Sequence, residues 1–253
     1  MNSTGRGETD PRREKGGKPM GSNNRVVESL SQAIPGAIGA TAVPVPKVTY
    51  ITIHPSFISK ACDHLYGQGA RFVISVATDF LAQSNRIEVS HIFSFDEDGL
   101  TVVIRSEANP ANPSLDSISP VISAANWAER ECRDLLGIDF IGHPDPRRLA
   151  LADDWPKGAH PLRRDFPYNY KPPAAPENAV PLNPPPPHAS VVPIGPFYPV
   201  LEEPAYFRVF VEGEEIVGCD YRGFYNHRGI EKLADSALTY NQVVFLAERI
   251  CGI

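Results

Sequence analysis

The chain has 253 residues, enough for one large domain or two small ones, and its 42% hydrophobic and 21% charged content is ordinary for a soluble globular protein. A net charge of −6 argues against nucleic-acid binding. No apolar run is long enough to span a bilayer, the first residues lack the apolar core of a secretion signal, and four widely spaced cysteines (Cys62, Cys132, Cys219, Cys251) fit a reducing compartment better than a disulfide framework.

Residues 1–25 are rich in Gly, Ser, Asn and charge and read as a disordered tail. A weak helical pattern (Val27, Leu30, Ala33, Ile34) follows and is interrupted by Pro35-Gly36. Val48 to Ile53 is β-rich. Pro55 to Tyr66 carries Ile58, Cys62 and Leu65 at helical spacing and is closed by Gly67. Three strands come next: Arg71 to Thr78, with Phe72, Ile74 and Val76 on one face, then Ile87 to Phe95 and Leu100 to Arg105. The last two flank Asp96-Glu97-Asp98-Gly99, which predicts an antiparallel hairpin.

A second helix is expected from Ser119 as N-cap and Pro120 at its first position, with Val121, Ala125, Ala128, Cys132 and Leu135 buried and Gly137 ending it. This order predicts a compact α+β domain over residues 26–150. From residue 151 to 193 periodicity is lost among clustered prolines, 26 in the whole chain, which predicts an extended polyproline-like strap. Residues 194–253 then show a hairpin around Glu212-Gly213-Glu214 and a helix at Ile230, Leu233, Ala234, Ala237 and Leu238. Another helix is capped by Thr239 and Gln242 and carries Val243, Leu246, Ala247 and Ile250. That is too little core to stand alone, so it reads as the beginning of a domain.

Chemistry-bearing residues cluster in three places. Glu129-Arg130-Glu131-Cys132-Arg133-Asp134 offers i,i+4 pairs, and this spacing alone fits a solvated helix face with a buried Cys132. It leads to Gly142-His143-Pro144-Asp145-Pro146-Arg147-Arg148 and to His160-Pro161-Leu162-Arg163-Arg164-Asp165-Phe166. Tyr225-Asn226-His227-Arg228-Gly229-Ile230-Glu231-Lys232 places a histidine and an arginine before a glycine that permits close backbone approach, with a carboxylate one turn into a helix. Glu248-Arg249-Ile250-Cys251-Gly252-Ile253 presents a thiol near a helix end.

Over about residues 47–170 the Glu-Arg-Glu helix, the His-Pro-Asp-Pro-Arg-Arg loop and the His-Pro-Leu-Arg-Arg-Asp-Phe segment, in that order, resemble the 30 kDa subunit family of respiratory complex I (NADH:quinone oxidoreductase). The resemblance implies a non-catalytic brace bound to a 49 kDa-type subunit and iron–sulfur neighbours. It makes Glu129, Arg130, Glu131, His143, Arg147, His160, Arg163, Arg164 and Asp165 candidates for partner docking, and it leaves Cys132 and the histidines structural.

Residues 195–253 are similar to the opening of the large-subunit family shared by complex I 49 kDa subunits and nickel–iron hydrogenases. That resemblance implies a proton relay at Glu231, a nickel-binding thiolate at Cys251 and a supporting positive charge at Arg249. Cys251, and Tyr198 where quinone-reducing relatives carry a histidine, point to the hydrogenase branch. The second cysteine of the first pair and the whole C-terminal pair are not in the sequence, so the chain is expected to be a fragment or a truncation that keeps the docking half.

Fusion of the two modules resembles the large subunit of formate hydrogenlyase-type, membrane-associated group 4 hydrogenases. The implied cofactors are a nickel–iron centre in the complete protein and an iron–sulfur cluster in a partner. The implied partners are a small iron–sulfur subunit, a ferredoxin-like iron–sulfur subunit and membrane subunits, with no nucleic acid, on the cytoplasmic face of the cell membrane. Two alternatives remain: a fused 30/49 kDa-type subunit reducing quinone with electrons from NADH, and a docking module without chemistry.

Overall fold

The computed structural model describes residues 23–174, 184–196, 204–223, 225, 227–236 and 238–250. The expected tail over 1–22, part of the proline run, Tyr198 and Cys251 lie outside the described residues. The chain divides into two units: residues up to 132 with 138–145, and residues 133–137 with 146 onward.

In the first unit, helix α1 (Asn23–Ala33) buries Val26 and Leu30 and stops before Pro35, because a residue preceding proline is steered away from helical backbone. Its start at Asn23 lies inside the stretch read from sequence as tail. Strand β1 (Ile38–Val45) was not expected. Its small residues and Pro44 give no alternating pattern, and it is exposed along nearly its whole length. It exists as an edge, paired antiparallel with β2 (Val48–Ile53), and proline is tolerated there.

A 3₁₀ turn at Pro55–Phe57 leads into α2 (Ile58–Gly67), which buries Ile58, Ala61, Cys62 and Leu65. Strand β3 (Arg71–Asp79) is followed by the single turn α3 (Leu81–Ser84), β4 (Ile87–Phe95) and β5 (Leu100–Ala108). The sheet order is β1-β2-β5-β4-β3, with β2 and β5 parallel and the other neighbours antiparallel. Strand β4 buries every second residue, and Phe93, Phe95, Val102 and Ile104 share one core with the buried positions of α1 and α2.

The expected face of β3 is corrected. A register shift between Phe72 and Ile74 inserts an extra residue. Phe72 therefore packs edge-on against Phe93, with ring centroids 5.7 Å apart, whereas Ile74 and Val76 turn to the exposed face and Ser75 turns in. A one-residue slip reverses every side chain beyond it.

Strand β6 (Ser114–Asp116) pairs in parallel with β7 (Asp139–Ile141) on either side of α4 (Asn126–Leu136). The helix does not begin at Ser119. The Ser119 hydroxyl donates to Glu129 instead, 118–122 form a turn, and a 3₁₀ turn at Ser123–Ala125 precedes α4.

In the second unit the expected strap is only partly extended. Residues 152–170 make successive turns, closed by backbone hydrogen bonds such as Trp155 N–H to Ala152 O and Phe166 N–H to Arg163 O. Residues 190–194 are strand β8 (Ser190–Ile194), the edge of an antiparallel sheet β10-β9-β8 with β9 (Tyr206–Glu212) and β10 (Glu215–Arg222). The expected hairpin is present, with Glu215 opposite Glu212.

Helix α5 (Ile230–Ser236) and helix α6 (Tyr240–Glu248) follow. Gln242 reaches back as its capping box requires, its Oε1 accepting from the Thr239 N–H at 2.9 Å. The expected apolar stripes are corrected: the buried residue of α5 is Lys232, and no residue of α6 is buried in this chain, with Tyr240 96% exposed and Val244, Phe245 and Ile250 also open. No helix among the described residues is long and apolar enough to cross a membrane.

Candidate functional site

The charged run on α4 is not a solvated face. Glu129 has 0% exposure, and Arg130 and Asp134 are also buried. Glu129 accepts from Ser117 Oγ (2.6 Å), Ser119 Oγ (2.5 Å) and the backbone N–H of Ile118 (2.8 Å). A buried carboxylate is tolerated because three donors replace its water. Asp145 N–H donates to His143 Nδ1 at 3.0 Å, so the ring hydrogen sits on Nε2, 3.2 Å from Asn126 O and 3.6 Å from Glu129 Oε2. Arg130 pairs with Asp145 at 3.2 Å. The helix thus fixes the His-Pro-Asp loop through side chains that also hold the 117–119 turn.

Burial governs the other titratable groups of this unit. It pushes the Cys62 thiol well above its usual range and that of Cys132 up to about 12, with Glu131 adding to the latter, so both are inert hydrophobes. It lowers His91 to about 4, with Nδ1 against Ser75 Oγ at 2.7 Å.

In the second unit Asp134 Oδ2 accepts from the N–H groups of Leu149 (2.8 Å), Ala150 (2.9 Å) and Leu151 (3.3 Å). His160 Nδ1 donates to Asp134 O at 2.9 Å, and its ring lies where a side chain on Gly137 would be: a Cβ there would meet Cδ2 at 2.5 Å, at a backbone φ of +73°. Arg133 donates to Pro146 O. Arg163 is half-buried; Arg147, Arg164, Asp165 and Glu131 are exposed.

The His227–Lys232 motif reaches two ways. Lys232, 5% exposed, donates to Arg163 O at 2.7 Å and Arg164 O at 3.4 Å. Arg228 donates to Arg249 O (3.1 Å) and Ile250 O (2.8 Å), covering carbonyls left open at the C-terminal end of α6. Gly229 is needed for its φ of +66°, not for close approach, since nothing lies within 4 Å of where its Cβ would stand. Glu231 is exposed rather than partly buried, and Arg249 is exposed as well. His227 is half-buried against Trp155, ring centroids 5.5 Å apart, and burial lowers its pKa.

The predicted residues therefore form separate groups. Glu129, Arg130 and His143 are joined in the first unit, whereas His160, Arg163 and Arg164 gather with Asp134, Lys232 and Asp235 in the second. Glu129 offers no surface to a partner. Ser117, Asp134 and Asp235 had no role in the sequence reading, and only their polarity beside apolar periodic positions hinted at one. No group of three or more His, Cys, Asp and Glu able to hold a metal occurs among the described residues. The donor set of a four-sulfur nickel site is likewise not met: Cys62 and Cys132 are buried, Cys219 is exposed, and Cys251 lies outside the described residues.

Buried charges spent on loop backbone define the class of protein: a structural α+β domain that braces its own loops. Residues 51–172 match the family described as respiratory-chain NADH dehydrogenase, 30 Kd subunit. A single-module NADH-quinone oxidoreductase subunit of Geobacter metallireducens is 33% identical over 153 residues, 58% of this chain and 91% of that protein. The chain belongs to this 30 Kd subunit family. Hydrogenase-4 component G of Escherichia coli (strain K12) is 35% identical over 240 residues, 92% of this chain and 43% of that protein. The NADH-quinone oxidoreductase C/D protein of Bacteroides fragilis is 38% identical over 164 residues, 57% of this chain and 30% of that protein. The chain spans less than half the length of these last two relatives.

Proposed function

We propose that the chain is the N-terminal part of the large subunit of a membrane-associated hydrogenase related to complex I, in which the 30 Kd-type domain braces the subunit against its partners. The observation that carries this reading is the extent of likeness. The hydrogenase-4 component matches 92% of the chain, including most of the second unit, whereas the C/D protein matches 57%. In the same reading Cys251 is one thiolate ligand of a nickel–iron centre whose other donors are not among these 253 residues, Glu231 exchanges protons with solvent, and Arg249 adds positive charge nearby. The centre would supply hydrogen chemistry when bound; no step is derived through it from residues that do not form it. Partners are an iron–sulfur small subunit, a ferredoxin-like subunit and membrane subunits. Docking falls to the exposed members of the predicted set, Glu131, Arg147, Arg164 and Asp165.

The test is to isolate the native complex containing this chain and measure nickel content and hydrogen evolution with and without Cys251→Ser. Loss of both is expected, and full retention of both overturns the ligand assignment. The second reading, a quinone-reducing fused subunit, is favoured by the slightly higher identity to the C/D protein. Quinone reduction by the native complex without hydrogen evolution would select it. A docking module without chemistry would show neither activity.

A further inference from the structure

Four contacts within the second unit join residues 151–170 to the segment from residue 204 onward. Lys232 donates to the carbonyls of Arg163 and Arg164, at 2.7 and 3.4 Å. Arg164 Nη1 pairs with Asp235 at 3.1 Å, and Arg222 Nη1 pairs with Asp153 at 2.8 Å. The Trp155 indole meets the His227 ring nearly perpendicularly, at 82°. Between the two segments in sequence lie the clustered prolines.

The two sides are complementary in charge and in hydrogen-bonding kind. One presents two successive carbonyls, a carboxylate, a guanidinium and an aromatic ring. The other presents a buried ammonium, a guanidinium, a carboxylate and an imidazole. The ammonium is the anchor, because a desolvated Lys232 without the Arg163 carbonyl would stand uncompensated, and this makes the fit selective. The exposed Arg164–Asp235 pair adds orientation more than strength.

We propose that these two surfaces form a protein–protein interface able to hold without the covalent link. The 151–170 side, carried on one polypeptide, would then receive a separate polypeptide bearing the Lys232, Asp235 and Arg222 constellation. The Geobacter metallireducens relative, 91% covered by 153 residues of this chain, is a protein in which such an arrangement is available. This inference does not depend on whether hydrogen or quinone is the substrate.

The experiment places a specific protease site among residues 175–183 of the full chain and cleaves the folded protein. The two fragments are expected to co-elute on gel filtration at physiological salt, and dilution then gives their dissociation constant. Lys232→Met is expected to raise that constant about ten- to a hundredfold, as loss of a charged hydrogen-bond donor does. Arg164→Asp should weaken binding a few-fold, with recovery on adding Asp235→Arg.

Separation of the wild-type fragments, when the uncleaved chain has native circular dichroism, overturns the proposal. An unchanged constant for Lys232→Met removes the anchor. If uncleaved Lys232→Met is unfolded, the charge swap decides: recovery supports the interface and its failure overturns it.

Discussion

Replacing Glu129 by alanine removes the acceptor of three short hydrogen bonds and leaves Ser117 Oγ, Ser119 Oγ and the Ile118 N–H facing a cavity in a fully buried site. Each stranded donor costs about 1–3 kcal/mol, and relief of the buried carboxylate's desolvation returns part of that. The net loss is about 3–5 kcal/mol, typical of breaking a buried charged network. Glu129→Gln keeps the shape and one acceptor but turns an NH₂ toward a hydroxyl, so it costs about 1–2 kcal/mol.

Urea unfolding at pH 7, followed by circular dichroism, measures both variants, and hydrogen exchange reads the Ile118 amide directly. Alanine should bring the Ile118 amide to rapid exchange and lower the midpoint strongly, with glutamine in between. A Glu129→Ala chain within about 0.5 kcal/mol of wild type, with Ile118 still protected, would refute the view that this carboxylate organises the 117–119 turn.

Three further outcomes are expected. His91 is held near 4 while its unfolded value is about 6.5, so the unfolded chain binds the extra proton first as pH falls; stability is full above the unfolded value and declines through the window to about pH 4, by about 3 kcal/mol. The difference in unfolding free energy between wild type and His91→Gln should therefore shrink across that range, and a constant difference contradicts the assignment. Gly137→Ala should destabilise by at least about 2 kcal/mol through its left-handed backbone and its clash with the His160 ring; adding His160→Ala should relieve the clash but leave about 1 kcal/mol of backbone cost, as a thermal-melt double-mutant cycle would show. Cys219 should react with a thiol reagent in the native protein, whereas Cys62 and Cys132 should react only after denaturation.

Strand β4 was readable because its alternation survives intact, and the hairpins because their turn residues require particular backbone angles. Strand β1 was not readable: Ile38–Val45 has no alternating pattern and becomes a strand only because β2 offers an edge. Likewise Ser119-Pro120 has the local form of a helix start, yet the serine hydroxyl is claimed by Glu129, ten residues away, and the helix begins at Asn126. Local preference loses when a buried carboxylate needs donors.

The candidate residues were legible as motifs but not as contacts. The Glu129–Asp134 run has the spacing of surface pairs, and nothing in that spacing says the helix is buried. Lys232 reads as a solvated lysine at a helix start, and its partners, the Arg163 and Arg164 carbonyls, are almost seventy residues distant.

The sequence by itself determined the secondary-structure types set by short-range periodicity and turn chemistry, and the order of motifs that marks the 30 Kd subunit family, because those signals lie within a few residues of one another. Tertiary structure alone decided the β3 bulge, the interior position of Glu129, Arg130 and Asp134, and the seat of Lys232 on a distant turn. Burial and hydrogen-bond partnership are properties of neighbours in space, and no local pattern encodes which distant backbone will need a charge.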